Sequence, residues 1–96
     1  MNDKSQIIKQ IVAKIDTEKI TSYPQHPKSK TLRQIIRYSE RIKNSNNEEE
    51  IFRLAVRTAY NLDTIVNVSK YVKNKEEKKH WLKVSEELFM NIQGSK

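Results

Sequence analysis

Apolar residues recur at spacings of three and four along four stretches of this chain, which is the period of a helix with one buried side. Polar or proline-containing segments separate these stretches and interrupt the period. The pattern predicts four helices, over about residues 4–19, 30–43, 48–73 and 75–92. One glycine and two prolines suit helices joined by short loops rather than sheets. We therefore expect residues 1–96 to form one all-α domain, a compact bundle of four helices.

The third predicted helix has the widest apolar band and is the expected centre of the core. Within about 150° of a helical wheel it carries Ile51, Leu54, Ala55, Thr58, Ala59, Leu62, Ile65, Val66, Ser69 and Val72. The opposite side presents cations and flat rings in a row, namely Arg53, Arg57, Tyr60, Thr64, Asn67 and Tyr71. Such a row suits a phosphate backbone with splayed bases, through charge, hydrogen bonding and stacking. The alternative is that the tyrosines only cover the edge of the core.

The second predicted helix separates apolar from cationic positions. Its inner side carries Leu32, Ile35, Ile36, Ser39 and Ile42, and either Ser29 or Thr31 is expected to cap it. Its outer side carries a cationic ridge formed by Lys30, Arg33, Arg37 and Arg41. Like charges one helical turn apart repel, and only Glu40 lies nearby to relieve them, so the ridge lowers stability unless an anion binds. Arginine suits bidentate phosphate contact, which favours that interpretation over a merely solvated face.

The net charge of +7 and the pI near 9.7 favour a polyanionic partner. Most of this excess lies in residues 20–43, which hold six cations against the single carboxylate of Glu40. We predict nucleic-acid contacts at the cations of this region and at the outer row of the third helix. The predicted binding residues are Lys28, Lys30, Arg33, Arg37, Arg41, Lys43, Arg53, Arg57 and Tyr60.

No arrangement typical of catalysis or of a bound cofactor is visible, and we expect a non-enzymatic protein without metal or cofactor. The sequence contains no cysteine. It contains a single glycine, Gly94, so a glycine-rich phosphate loop is excluded. His26 lies between two prolines with no visible partner. The spacing from Glu77 to His80 matches half of a di-iron motif, but a second copy is missing. The three glutamates at 48–50 point in different directions on a helix and so do not converge on one metal ion. Their negative charges are expected to interact favourably with the dipole at the helix N-terminus.

The chain carries no apolar run near the roughly 20 residues that span a bilayer, and its first residues do not form the apolar core of a signal peptide. The first predicted helix is amphipathic but lacks Trp or Phe anchors for a membrane surface. We therefore predict a cytoplasmic location and no membrane partner.

Residues 29–37 read Ser-Lys-Thr-Leu-Arg-Gln-Ile-Ile-Arg, and a long helix with an outer row of arginines and aromatic rings follows them. This arrangement resembles the small subunits of CRISPR effector complexes, which are short basic helical bundles. In type III subunits a segment of the form Ser/Thr-x-Lys/Gln-x-Leu/Ile-Arg opens a comparable helix, and Lys30, Leu32 and Arg33 fit part of this form. The resemblance implies a non-catalytic subunit, present in several copies beside other subunits, that holds a guide RNA–target duplex or a displaced strand by its backbone. The contacts it implies are Lys30, Arg33, Arg37, Arg53 and Arg57.

Two other functions remain open from the residues alone. A helix-turn-helix protein could read base edges with Ser29, Lys30, Arg33 and Gln34, although the loop containing two prolines argues against the short helix pair that this motif needs. A helical adaptor could instead use the row of tyrosines and arginines as a protein-binding hot spot.

Overall fold

A computed structural model describes residues 3–23, 30–68 and 71–93, and all of its regular structure in these ranges is helical. The helices are α1 (Asp3–Val12), α2 (Thr17–Ser22), α3 (Lys30–Asn44), α4 (Glu48–Asn67) and α5 (Lys75–Gln93). They pack into a bundle measuring 37 × 23 × 17 Å. The predicted all-α bundle is therefore confirmed, and the second and fourth predicted helices match α3 and α5 to within a residue at each end.

The first predicted helix, over residues 4–19, is wrong as one continuous helix because the chain turns at residues 13–16. The Asp16 carboxylate caps α2 by accepting a hydrogen bond at 3.0 Å from a backbone amide in the first turn of that helix. Aspartate in this position stabilises a new helix start at the expense of continuation through it. The turn also lets Ile15 and Ile20 both reach the core, where they are buried.

The third predicted helix, over residues 48–73, begins as expected but ends early, at Asn67. Val68 adopts an extended conformation, and its amide donates to the Thr64 carbonyl at 3.1 Å, which closes the last turn of α4. Asparagine and β-branched valine propagate a helix less well than alanine or leucine, so the chain can leave α4 here at little cost. Val72, beyond the end of α4, is nevertheless buried in the core.

α4 lies at the centre of the bundle and packs against α1, α3 and α5. Its buried residues are those of the predicted apolar band, Ile51, Leu54, Ala55, Thr58, Ala59, Leu62, Ile65 and Val66. Ser69, which was predicted to belong to this band, lies outside the described residues. Across the α4–α5 contact the buried Ser85 hydroxyl donates to the Ala59 carbonyl at 2.9 Å, so the polar atom does not remain unsatisfied in the core.

A polar network attaches α2 to α5 at one end of the bundle. The buried Trp81 Nε1 donates to the Tyr23 hydroxyl at 2.6 Å, and this hydroxyl donates to Glu77 Oε2 at 3.0 Å. Glu77 Oε1 also pairs with Lys19 Nζ at 2.8 Å. Burial raises the pKa of the Tyr23 phenol to about 12, which keeps it protonated as the donor to the carboxylate. The network satisfies the indole N–H of a fully covered tryptophan and fixes the position of α2.

Candidate nucleic-acid interface

The cationic ridge predicted on the second helix lies on the outer side of α3. Lys30, Arg33, Arg37 and Arg41 are all exposed, while Leu32 and the other buried residues of α3 face the opposite way. Helical spacing alone produces this separation, since residues three, four and seven apart share a face.

Lys43, another predicted binding residue of α3, does not belong to this ridge. Lys43 is exposed, but it lies about 120° around the helix from Arg37. Its backbone carbonyl accepts a hydrogen bond from Lys9 Nζ at 3.3 Å, which places this position beside α1. The structure therefore separates Lys43 from the ridge. Lys28 lies outside the described residues, as do His26 and the candidate cap Ser29.

Two contacts across the α3–α4 pair show which side of α4 adjoins the ridge. Near one end, Arg41 Nη2 pairs with Glu50 Oε2 at 2.9 Å. Further along, Asn61 Nδ2 donates to Gln34 Oε1 at 3.5 Å. The short linker at residues 45–47 makes α3 and α4 run antiparallel. The segment of α3 between the two contacts therefore lies beside the segment of α4 between the same two contacts.

Three arginines lie between the two contacts and form the arginine cluster, defined here as Arg37, Arg53 and Arg57. On α4, Glu50, Arg53, Arg57 and Asn61 follow one another at spacings of three, four and four residues. These spacings place all four residues along one side of the helix. All three arginines are exposed, and none forms an ion pair with a described residue. Arg37 also lines two surface depressions, one toward Lys30 and one toward Glu50. The cluster concentrates positive charge on the edge shared by α3 and α4.

Arg41 departs from the prediction, because its charge is already compensated within the protein. A hydrogen bond from Ser45, followed by the Arg41 guanidinium and the charge of Arg53, holds the pKa of Glu50 below its ordinary value. Glu40, the carboxylate predicted to relieve the ridge, forms no ion pair in the described part of the chain. The three-residue linker brings α4 back beside the end of α3 and so makes Glu50 the partner. Sequence reasoning had assigned Glu50 only to the helix dipole.

The outer row predicted on the third helix is present on α4 from Arg53 to Asn67 and lacks its last member, Tyr71. Arg53, Arg57 and Tyr60 are exposed on α4, and Tyr60 retains 60% of its accessible surface. The Thr64 hydroxyl donates to the Tyr60 carbonyl at 2.9 Å and so serves its own helix. Tyr71 is only partly exposed and lies beyond the end of α4, so the structure does not place it in this row.

Tyr60 contacts the neighbouring helix through an aromatic pair that the sequence did not reveal. The Phe89 ring lies edge-to-face with it, at a centroid distance of 5.0 Å and an interplanar angle of 78°. The contact joins α4 to α5 at the middle of the outer row. The helical period predicts that Phe89 shares a side of α5 with Ser85, which contacts α4, because the two residues are one turn apart. The period of one helix does not predict which residue of the neighbouring helix each of them contacts.

Among the described residues, no three or more His, Asp or Glu side chains are placed so that they could hold a metal ion together. His80 packs on the Trp81 ring, at a centroid distance of 4.6 Å, and its Nε2 lies 3.4 Å from the Lys14 carbonyl. No helix in the described ranges combines the length and apolar character needed to cross a membrane.

Comparisons with models of protein families, with curated proteins and with solved structures find no match to this chain.

Proposed function

We propose that this chain is a non-catalytic protein that binds nucleic acid through the phosphate backbone, along the edge shared by α3 and α4. One observation carries the proposal: three exposed arginines from two helices lie between the two contacts that join α3 to α4, with no ion pair to a described residue. Cations clustered in this way repel one another, so an anion that bridges them stabilises the arrangement. Repeated phosphates are the partner that matches repeated arginines in both charge and hydrogen-bonding geometry.

Contact with the backbone fits this edge better than base readout. The Gln34 side chain, which a helix-turn-helix protein would direct at a base edge, accepts a hydrogen bond from Asn61 and is only partly exposed. The cations around it are arginines and Lys30, which suit phosphate oxygens in either duplex or single strand. Sequence-independent binding is therefore the expected mode.

At a finer level, we propose that the chain is a small subunit of a CRISPR-type RNA-guided complex, bound in several copies beside other subunits. The support is the resemblance of residues 29–37, together with a basic edge on a short helical bundle. A backbone-holding role on a guide–target duplex or displaced strand needs no catalytic group. Affinity purification from the native cells tests this level: co-elution of a guide RNA with further subunits is expected, whereas elution of the chain alone would contradict it.

A protein adaptor is the second candidate, because Tyr60 and Met90 expose 60% and 70% of their surface on neighbouring helices. Aromatic and arginine side chains are the groups most enriched at protein-binding hot spots. Nuclease treatment of a native complex separates the two functions. An adaptor keeps its partner after nuclease, whereas a nucleic-acid-bridged complex falls apart.

The central test is charge reversal of the arginine cluster, with all three residues changed to glutamate. About five phosphate contacts, from this cluster with Lys30 and Arg33, predict a slope near −3.5 for the logarithm of the association constant against the logarithm of salt on single strands. Loss of three contacts should weaken binding at least about 100-fold at 0.1 M salt and flatten this slope. Fluorescence anisotropy with a labelled oligonucleotide measures both quantities.

The matched control reverses three exposed lysines on α5 that form no ion pair with a described residue: Lys75, Lys79 and Lys83. Both variants change the net charge by the same amount, so only the position of the charge differs. Circular dichroism should show equal helix content in all three proteins, since every altered side chain faces water. Equal weakening by both variants, or a salt slope near zero for the unaltered protein, would contradict binding at the α3–α4 edge.

A further inference from the structure

Tyr60 remains largely exposed although it already has an aromatic neighbour. It keeps 60% of its surface accessible, whereas Phe89, its partner in the edge-to-face pair, is half-buried against the core. A pair at 78° covers at most one face of the Tyr60 ring, so ring surface remains open to solvent. A tyrosine that only sealed the edge of the core would lie further in, as Tyr23 does at 7% exposure.

The position of this open ring next to the arginine cluster is the second observation. Arg57 precedes Tyr60 by three residues, which separates them by about 4.5 Å along the helix axis. The two side chains, with Arg53 a further turn away, lie on the solvent side of α4. A cation and an aromatic face this close together match the two parts of one nucleotide, a charged phosphate and a flat base.

From these observations we infer that the ligand is single-stranded nucleic acid, with its backbone along Arg53 and Arg57 and one base stacked on Tyr60. The inference rests on the proposed function and restricts it to one class of ligand. In a duplex the bases are stacked on one another and paired, so none can reach a ring on the protein surface without being extruded. A duplex can therefore use the arginine cluster but not Tyr60. The Phe89 contact holds the ring in place, which lowers the entropy lost when a base stacks on it.

Binding of an oligothymidylate strand to Tyr60→Ala and Tyr60→Phe proteins tests the inference. Stacking on an aromatic side chain predicts that Tyr60→Ala weakens the single strand about 5- to 150-fold, while Tyr60→Phe, which keeps the ring, stays close to the unaltered protein. A duplex of equal length should bind the Tyr60→Ala and unaltered proteins alike. The matched control is Met90→Ala, which removes an exposed apolar side chain from the neighbouring helix α5. It should leave binding unchanged.

A strand of the same length with abasic sugars isolates the stacking contribution, since it keeps every phosphate and lacks the bases. The unaltered protein should bind it as weakly as the Tyr60→Ala protein does, and the Tyr60→Ala change should have no further effect on it. Equal affinity of Tyr60→Ala and unaltered protein for oligothymidylate, with a steep salt slope retained, would overturn the inference and leave backbone binding intact. Absence of salt-dependent binding to both the strand and the duplex would instead refute the proposed function itself.

Discussion

Replacing Glu50 by Gln should strengthen nucleic-acid binding, because this carboxylate occupies the guanidinium of Arg41. The pair lies at one end of the arginine cluster, with an Nη2 to Oε2 distance of 2.9 Å. Glutamine keeps the size of the side chain and its capacity to accept a hydrogen bond, but it removes the charge that competes with a phosphate. The Arg41 side chain is 58% exposed, so it can turn to a ligand without opening the core.

The size of the effect follows from counting phosphates. Releasing one arginine adds one contact, which steepens the logarithmic salt slope by about 0.7 on a single strand. At 0.1 M salt this extra contact corresponds to about fivefold tighter binding, falling toward no change near 1 M salt. An exposed ion pair contributes little to folding, so Glu50→Gln should keep its helix content and lower the unfolding midpoint only slightly.

The assay is anisotropy titration of a labelled oligonucleotide at several salt concentrations, with Glu86→Gln as the control. Glu86 is exposed on α5, which does not contact α3 in the described structure, and it forms no ion pair with a described residue. The two variants gain the same net charge, so a gain specific to position 50 reports the release of Arg41. Unchanged or weaker binding by Glu50→Gln, or an equal gain from Glu86→Gln, would refute this reasoning.

Two further predictions concern the network that joins α2 to α5. Tyr23→Phe leaves the buried Trp81 N–H without its acceptor and should lower the free energy of unfolding by about 1 to 3 kcal/mol in urea titrations. The control is Tyr38→Phe, which should be nearly neutral because the Tyr38 hydroxyl bonds to no described residue. The hydrogen bond from Lys19, with a second from Tyr23, lowers the pKa of Glu77, so its contribution to stability is present above the ordinary value of 4.5 and disappears as the pH falls. The stability difference between the unaltered and Glu77→Gln proteins should therefore shrink below about pH 4.5, and a constant difference would contradict this origin.

The fold could be predicted where local periodicity and burial agree. The buried face of α4 and the apolar side of α3 follow from spacings of three and four, because a helix places such residues on one side wherever it packs. The errors lie at helix ends. Asp16 was predicted to lie within a helix, although aspartate also starts helices. The third predicted helix was expected to continue to residue 73, but α4 ends at Asn67.

The candidate site was predictable only one helix at a time. Exposure of Arg37, Arg53 and Arg57 follows from their positions opposite each apolar band. Their grouping into one cluster depends on how α3 and α4 are rotated against each other, which the core contacts determine. The same packing decides that Glu50 neutralises Arg41 and that Phe89 supports Tyr60.

The amino-acid sequence alone determined that this protein is helical, strongly basic, and cationic on the outer sides of its second and third predicted helices, since these properties depend on composition and on the period of a single helix. Tertiary structure decided which of those cations are compensated and which aromatic ring stays open beside them. Such pairings join residues on different helices, and the distances between them arise only when the apolar faces pack together.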